Sequence, residues 1–501
     1  MAPAHRSLPV CALALLAVLL AAPATQATTM SPAARIATLK LAPCRLQQPA
    51  RLQSYAAECG DLQVPEDPEA SGGRMIRLFI ARVPAISRRK RADPLFVLAG
   101  GPGQAATELF ASVAPLFARI GRDRDIVLVD QRGTGRSNRL GCDADRSLFD
   151  ETPAQIERTV VRCRAVLDAR ADLRQYTTSR AVLDLDRVRA ALQYDRIDLY
   201  GVSYGTRVAQ QYARRFPQRA RALILDGVVS PQLVLGPAIA LDAETALEHI
   251  LARCRDEPAC SQAFGDPAQD YHALRTALAA RSVMVRAPNP MTGLPQVLEF
   301  SDRHLAVVLR LSSYASEQAA LLPLALHRAQ STGDFGALAS IFLLAQHSLD
   351  DALALGVHNS VVCTEDIPYI NAASIDRRQL EATYMGAAQL EGLQAVCQHW
   401  PRGIMDPDLH APLASRTPAL LLSGTDDPVT PPVYATQAAL GFADKLHIVM
   451  PGLGHSQLAA PCLERIMALF IEAGTARGLD ASCTKDVRPM PFFTSLAGPE
   501  P

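Results

Sequence analysis

The sequence predicts an α/β fold with a mostly parallel sheet flanked by helices and a mostly helical insertion between late strands. Short, continuous apolar runs alternate with helical patterns in the first half of the chain, as buried strands and crossover helices do in such sheets. A Gly-x-Ser-x-Gly motif separates one of these runs from the helical pattern that follows it. The alternation stops near residue 230 and resumes near residue 417, which predicts the insertion.

The individual elements follow from their periodicity. Residues 74–83 partly alternate apolar and polar side chains, which is typical of a half-exposed strand. Continuous apolar runs predict buried strands at 94–98, 125–129, 197–200, 222–225, 419–422 and 445–450. Helical patterns lie at 153–193, 207–216 and 245–253. The crossovers between the parallel strands are expected to be right-handed.

The N-terminal residues have the features of an export signal. Arg6 supplies a positive charge, and the apolar run at 10–22 is short for a membrane span. Small residues predict cleavage near Ala24 or Ala27, so the mature protein is expected to be periplasmic or secreted, without stable membrane insertion. The predicted organisation is a signal peptide at 1–27, the first part of the core at 28–230, a lid at 231–416, the second part of the core at 417–485, and a tail at 486–501.

The cysteine count agrees with export. The chain has 11 cysteines, and removing Cys11 with the signal leaves an even number, as expected for a disulfide-bonded exported protein. Their sequential spacing suggests the pairs 44–59, 142–163, 254–260, 363–397 and 462–483, although sequence alone does not determine connectivity. The spacings do not resemble zinc ligation.

Composition limits the classes of partner. The formal net charge is +0 and no basic stripe is present, so a nucleic-acid partner is not expected. No metal site and no organic cofactor are predicted. The sequence gives no indication of the oligomeric state.

The motif at 201–205 predicts a nucleophile elbow, in which a strand turns sharply into a helix. The flanking glycines relieve crowding at the turn, and Ser203 would project its hydroxyl above the sheet. The N-terminus of the following helix would favour negative charge developing beside it. Ser203 is therefore the predicted nucleophile.

A serine nucleophile needs a base and a carboxylate that orients the base, and on this type of sheet both follow the serine in the order acid, then histidine. Asp427, directly after a predicted strand and before Pro428, is the first choice for the acid. Asp426 is its close rival, and Asp226 is a third candidate that more often would cap a loop. His455 follows the last predicted strand in a Gly-rich loop and is the predicted base.

The tetrahedral intermediate of acyl transfer needs backbone N–H donors. Tyr204, directly after the nucleophile, is expected to supply one. Gly101, in the Gly-Gly-Pro-Gly loop at 100–103, is expected to supply the other, since Pro102 has no N–H. A phosphate-binding loop is not expected there because no Gly-Lys-Ser/Thr follows.

Five motifs in order resemble the proline iminopeptidase and tripeptidyl aminopeptidase group of α/β-hydrolases. They are Gly-Gly-Pro-Gly at 100–103, Asp-Gln-Arg-Gly-Thr-Gly-Arg-Ser at 130–137, Gly-Val-Ser-Tyr-Gly at 201–205, Asp-Pro-Val-Thr-Pro at 427–431, and Gly-His at 454–455. The similarity covers most of the mature chain, including a C-terminal segment like that of the secreted tripeptidyl aminopeptidases. Ala99 departs from the proline iminopeptidases, which usually have histidine there, so proline specificity does not follow.

The resemblance implies a serine exopeptidase that removes one residue or a short, tripeptide-like fragment from a peptide with a free N-terminus. It also implies acidic lid residues that hold the substrate ammonium, and Glu365, with Asp366 second, is the candidate in the stretch Val-Cys-Thr-Glu-Asp at 362–366. An esterase or amidase of small hydrophobic substrates on the same fold is the alternative. A catalytically silent binding protein is a third hypothesis, which predicts loss of a triad residue.

Overall fold

The computed structural model describes residues 39–48, 52–142 and 153–499. The predicted signal peptide at 1–27 lies outside the described residues. Within them, nine strands form one sheet, and two more form a separate hairpin. The strands are β1 Ala42–Gln47, β2 Ser54–Pro65, β3 Met75–Val83, β4 Leu95–Leu98, β5 Ile126–Val129, β6 Ile197–Val202, β7 Ala220–Asp226, β8 Val283–Pro288, β9 Pro295–Phe300, β10 Ala419–Gly424 and β11 Lys445–Met450.

The large sheet has the order β1-β2-β3-β5-β4-β6-β7-β10-β11. From β5 to β11 all neighbours are parallel, whereas β1, β2 and β3 join antiparallel to one another and β3 joins antiparallel to β5. The fold is therefore the α/β-hydrolase type that the sequence predicts, with a mostly parallel sheet. The carboxyl ends of β4, β6, β7, β10 and β11 meet at one edge, where ligands bind in open α/β sheets.

The described α-helices have the bounds α1 Ala106–Val113, α2 Ala118–Gly121, α3 Pro153–Asp168, α4 Thr178–Ala191, α5 Tyr204–Arg215, α6 Ala238–Asp256, α7 Pro258–Phe264, α8 Pro267–Ala280, α9 Asp302–Ser312, α10 Ser316–Ala319, α11 Leu322–Thr332, α12 Gly336–Ala352, α13 Leu355–Glu365, α14 Arg377–Ala382, α15 Ala388–His399, α16 Pro432–Ala439 and α17 Leu463–Ala473. The pattern at 153–193 corresponds to two helices, α3 and α4, separated by a short 3₁₀ turn at Leu173–Gln175.

Helices cover both faces of the sheet. Along β4, Phe96 and Leu98 belong to one apolar cluster, while Leu95 and Val97 belong to another. Successive strand side chains point to opposite faces, so these are the two sides of the sheet. The first cluster includes residues of α3, α4, α5, α13 and α16, and the second includes residues of α1 and α17. Burial on both sides explains the continuous apolar runs in the sequence.

The N-terminal strands add a detail that periodicity did not indicate. Residues 42–65 form a hairpin, β1 and β2, at the edge of the sheet. Most of the side chains of β1 are at least partly exposed, so the segment has no continuous apolar run. The Cys44–Cys59 disulfide joins the two strands of this hairpin.

The insertion consists of two parts with different packing. Helices α6, α8, α9, α11 and α12, with the β8–β9 hairpin, surround an apolar cluster of their own. By contrast, Val357, Val361 and Cys363 of α13 and the later Trp400 and Leu413 join the main cluster of the sheet. The hairpin is a departure from the expected helical content. Within the predicted lid, α13 and the segment that includes Trp400 and Leu413 therefore pack against the sheet.

All five predicted disulfides are confirmed. They join the pairs Cys44–Cys59, Cys142–Cys163, Cys254–Cys260, Cys363–Cys397 and Cys462–Cys483. In the C-terminal tail, Phe492 is fully buried against α6 and α7. Among the described helices, none has the length and apolarity needed to cross a bilayer.

Candidate active site

Ser203 lies at the sharp turn between β6 and α5. Its backbone has φ 55° and ψ −125°, a conformation that non-glycine residues rarely adopt and that concentrates at functional sites. A side chain at Gly201 would overlap the carbonyl of Gly205, and one at Gly205 would overlap the carbonyl of Leu98. The spacing of the two glycines around Ser203 is therefore required by close backbone approach.

The loops after β10 and β11 bring an aspartate and a histidine together. His455 Nδ1 lies 2.9 Å from both carboxylate oxygens of Asp427. Because a carboxylate only accepts hydrogen bonds, Nδ1 carries the proton and Nε2 is left as the basic nitrogen. Thr430 Oγ1 donates to Asp427 at 2.8 Å and lies 3.2 Å from the same Nδ1.

The environment of Asp427 favours its charged form. Burial alone would raise its pKa, but the charge and hydrogen bond of His455 and the N–H groups of Thr430 and Val429 outweigh burial. Both N–H groups donate to Asp427 Oδ1 at 2.8 Å. The pKa of Asp427 consequently lies below its usual value, and the carboxylate remains available to an imidazolium.

The other two aspartates considered from sequence have different partners. Asp426 lies 3.5 Å from Arg253 and accepts a hydrogen bond from Thr425 Oγ1. Asp226, fully buried at the end of β7, accepts from Tyr200 Oη, Ser456 Oγ and the N–H of Gln457 at 2.8–3.1 Å. Asp226 thus anchors the segment directly after His455, which is the loop-capping role weighed against catalysis.

Ser203 and His455 approach the same turn from two sides. The N–H of Ser203 donates to the carbonyl of Asp226 at 2.9 Å. The next residue, Gly227, has φ +62°, and a Cβ there would lie 3.3 Å from His455 Cε1. Ser203 and His455 therefore both border the turn after β7, and a side chain at residue 227 would crowd the imidazole.

The Gly-Gly-Pro-Gly loop borders the elbow. A Cβ at Gly100 would lie 3.2 Å from Ser203 Cβ, and the N–H of Gly100 donates to Gln104 Oε1 at 3.3 Å. Gly101 follows with φ +106°, a backbone conformation that favours glycine. The loop therefore brings the backbone of Gly100 beside the nucleophile. The oxyanion role of Gly101 and Tyr204 stays a prediction.

A residue of the insertion contacts the histidine and was not identified from sequence. The backbone carbonyl of Tyr314, between α9 and α10, accepts a hydrogen bond from the backbone N–H of His455 at 2.8 Å. The Tyr314 and His455 rings pack edge to face with centroids 4.9 Å apart. No sequence signal indicated Tyr314, because the contact joins segments about 140 residues apart. By contrast, Thr430 lies in the Asp-Pro-Val-Thr-Pro motif at 427–431, so the sequence could have indicated its place beside Asp427.

Glu365 and Asp366 have partners other than the expected substrate ammonium. Both side chains are fully buried. Asp366 forms an ion pair with Arg207 of α5 at 2.9 Å and accepts the N–H of Leu235. Glu365 accepts from the N–H and the hydroxyl of Thr178, each at 2.7 Å. In this packing neither carboxylate faces an open site, so their predicted role as a direct anchor gains no support.

The motif at 130–137 serves internal packing. Arg132 is almost fully buried and forms a two-point ion pair with Asp184 of α4. Asp130 accepts hydrogen bonds from Thr107 and from the N–H of Arg136. In the described part of the chain, no three His, Cys, Asp or Glu side chains are grouped as metal ligands would be.

Two protein families match parts of the chain. Residues 93–249, which include Ser203, match the family described as alpha/beta hydrolase fold. Residues 382–483, which include Asp427 and His455, match the family described as TAP-like protein. The two matched segments thus carry the three residues that the sequence predicts as a triad.

Three curated proteins resemble the chain at modest identity. Serine protease Hip1 of Mycobacterium tuberculosis is 27% identical over 481 residues, which covers 88% of this chain and 90% of that protein. Carboxylesterase B of the same organism is 29% identical, covering 75% and 76%. Tripeptidyl aminopeptidase of Streptomyces lividans is 29% identical over 191 residues, but these cover only 35% of this chain and 36% of that protein.

Proposed function

Because the chain has the α/β-hydrolase fold and a TAP-like C-terminal region, we propose that it is an exported serine hydrolase that cleaves peptides from a free N-terminus. The observation that supports this most is the Asp427–His455 pair beside the strained turn of Ser203. The relatives named serine protease and tripeptidyl aminopeptidase favour a peptide substrate.

The proposed reaction is acyl transfer through Ser203. Asp427 holds His455 with its proton on Nδ1, so Nε2 takes the proton of the Ser203 hydroxyl as Oγ attacks the scissile carbonyl carbon. The oxyanion accepts hydrogen bonds from the N–H groups of Tyr204 and Gly101. As the tetrahedral intermediate collapses, the C–N bond breaks and His455 gives its proton to the leaving amine. Water then hydrolyses the acyl-enzyme by the same steps.

Export fits the disulfides. Five disulfides within one chain are typical of oxidising compartments outside the cytosol. Removal of the predicted signal peptide near Ala24 or Ala27 would leave the described core intact. Mass spectrometry of the mature protein would test this, since a retained N-terminus would contradict cleavage.

An esterase is the second candidate, because the relative named carboxylesterase B matches three quarters of the chain. The triad serves ester and amide hydrolysis alike, so the discriminating feature is the requirement for a free amine.

If the protein were catalytically silent, a fluorophosphonate probe would leave Ser203 unlabelled.

A fluorogenic tripeptide amide series, each member with a free or an acetylated N-terminus, tests the proposal. Hydrolysis of the free-amine members alone, abolished by Ser203→Ala, is the expected result, and the released fragment gives the number of residues removed. Equal hydrolysis of both forms would refute an aminopeptidase. Hydrolysis of short acyl esters alone would favour the esterase.

A further inference from the structure

Glu365, a residue of α13, caps the N-terminus of another helix, α4. The residue before α4, Thr177, makes no side-chain cap bond to that helix. Glu365, at the C-terminal end of α13, instead accepts the N–H of Thr178 through Oε1 and the Thr178 hydroxyl through Oε2, both at 2.7 Å. A carboxylate at this position satisfies a free helix N–H and interacts favourably with the helix dipole.

The hydrogen bonds continue from Thr178 to the residue after the nucleophile. Thr178 Oγ1 lies 2.8 Å from Tyr204 Oη. With Glu365 ionised, the single hydroxyl proton of Thr178 is donated to the carboxylate, and Tyr204 is then the donor in this second bond. The resulting chain of donors runs from Tyr204 Oη to Thr178 Oγ1 and on to the Glu365 carboxylate. All three side chains are buried.

We propose that Glu365 and Thr178 are positioning residues for catalysis, which hold the Tyr204 ring and thereby the peptide group that follows Ser203. This inference rests on the proposed serine hydrolase and adds residues that act on the oxyanion side of its site. Tyr204 is the first residue of α5, so its side chain and its N–H belong to the same turn. Fixing the phenol at its far end restricts rotation of that turn.

The neighbouring ion pair has a different task. Arg207 binds Asp366 and also the carbonyl of Leu233, while Asp366 accepts the N–H of Leu235. These bonds join α5 to the entry of the insertion, and they contact no atom of Tyr204. Arg207 lies 3.6 Å from Glu365 Oε2, so it stabilises the charge of Glu365 without taking its place in the donor chain.

A positioning role for Glu365 and an ammonium-binding role predict effects on different sets of substrates. A carboxylate that binds the substrate amine would matter only for substrates that have the amine. A residue that positions an oxyanion donor would matter for every substrate, and mainly for kcat, because the oxyanion forms in the transition state.

The test compares Glu365→Gln, Thr178→Val and Tyr204→Phe with wild type on a free-amine peptide amide, its acetylated form and a short acyl ester. Each variant is expected to lower kcat about tenfold to a hundredfold on every substrate that wild type hydrolyses, with KM changed little, since small displacements at a reacting centre have effects of this size. Thr178→Ser, which keeps the hydroxyl, should have a kcat close to that of the wild type.

Thr177→Val is the matched control. Thr177 precedes Thr178, and its buried hydroxyl donates to the carbonyl of Ile404 at 2.6 Å, outside the donor chain. It should lower thermal stability and leave kcat unchanged. The double variant Thr178→Val/Tyr204→Phe should be no slower than the slower single variant, because both break one chain.

Three results would overturn the inference. Unchanged kcat in Thr178→Val and Tyr204→Phe would remove the positioning role, even if Glu365→Gln failed to fold. A rise in KM limited to free-amine substrates in Glu365→Gln would assign Glu365 to the substrate ammonium. The proposed function and this inference would both be refuted if the wild-type protein hydrolysed none of the substrates and resisted the fluorophosphonate probe. If the wild type were active and the variants were unaffected, this inference alone would be refuted.

Discussion

Two consecutive aspartates in the loop after β10 have different surroundings. Asp427 contacts His455 at 2.9 Å, while Asp426 contacts Arg253 at 3.5 Å. Asp427→Asn keeps the shape of the side chain but favours the wrong imidazole tautomer, so kcat should fall by about 10⁴. Steady-state kinetics of Asp427→Asn, with Asp426→Asn measured beside it, would give the change in kcat.

Asp426→Asn is the control for that experiment. The Asp426–Arg253 contact does not involve the imidazole, so kcat should stay within about threefold of wild type. If Asp426→Asn were the slower variant, the acid would have been assigned to the wrong residue.

Asp226 gives a prediction for pH dependence. Burial raises its pKa to about 6, although Tyr200, Gln457 and Ser456 donate to it. In the unfolded chain its pKa is about 3.9. Between these two values the folded state holds the proton and the unfolded state does not, so this group lowers stability as pH rises from about 4 to about 6.

Asp226→Asn cannot ionise, so the variant should lack this contribution. Relative to wild type, its free energy of unfolding should improve as pH rises through that range, by at most about 1.4 kcal/mol per pH unit. Urea unfolding at several pH values would measure the difference. A constant offset between the two proteins would show that Asp226 does not titrate in the range.

The connection between α9 and α10 approaches the site through Tyr314. Tyr314→Phe keeps the ring against His455, whereas Tyr314→Ala removes it, and both keep the carbonyl that accepts the His455 N–H. An aromatic pair of this kind contributes about 0.5–1.5 kcal/mol, so Tyr314→Ala should lower kcat about fivefold and Tyr314→Phe should not. Equal kinetics of the two variants would mean that the ring has no influence on the base.

The disulfide between α13 and α15 should matter more than the one between α6 and α7. Cys363 and Cys397 are 34 residues apart, whereas Cys254 and Cys260 are 6 apart. Restriction of the unfolded chain grows with loop length, so replacing each pair by alanine should cost about 4 and about 2 kcal/mol respectively. Denaturant unfolding of the two double variants would contradict this account if the order were reversed.

Across the entire chain, the apolar clusters predict which parts open separately. Helices α8, α9, α11 and α12 contribute to a cluster of their own, while α13 contributes to the main one. Native-state hydrogen exchange should therefore show the first group opening at lower free energy than the sheet, with α13 protected like the sheet. Exchange of α13 together with α12 would show that the insertion moves as one body.

The sequence was sufficient where local chemistry determines the structure. Continuous apolar runs predicted the buried strands, and the Gly-x-Ser-x-Gly spacing predicted the turn at Ser203, because only short-range sterics are involved. The even cysteines in short loops predicted the disulfides. The sequence favoured Asp427 over Asp426 only by its position next to Pro428, whereas the contacts with His455 and Arg253 distinguish the two.

Long-range contacts were beyond reach from sequence. Glu365 and Asp366 were candidates for binding the substrate ammonium, because nothing near them in sequence indicates their contacts with Thr178 and Arg207. Tyr314 meets His455 only through the path of the insertion. The packing of α13 in the main apolar cluster also depends on tertiary contacts, which its sequence does not indicate.

The five disulfides join residues that are 6 to 34 positions apart. In a chain that leaves the cytosol from its N-terminus, each of them can close as soon as its own segment emerges, without waiting for the C-terminus. His455, by contrast, reaches the turn beside Ser203 only after the chain has been extended by some 250 further residues. Such a protein would be oxidised in stages during translocation, and the predicted triad would assemble only when nearly all of the chain has left the cytosol.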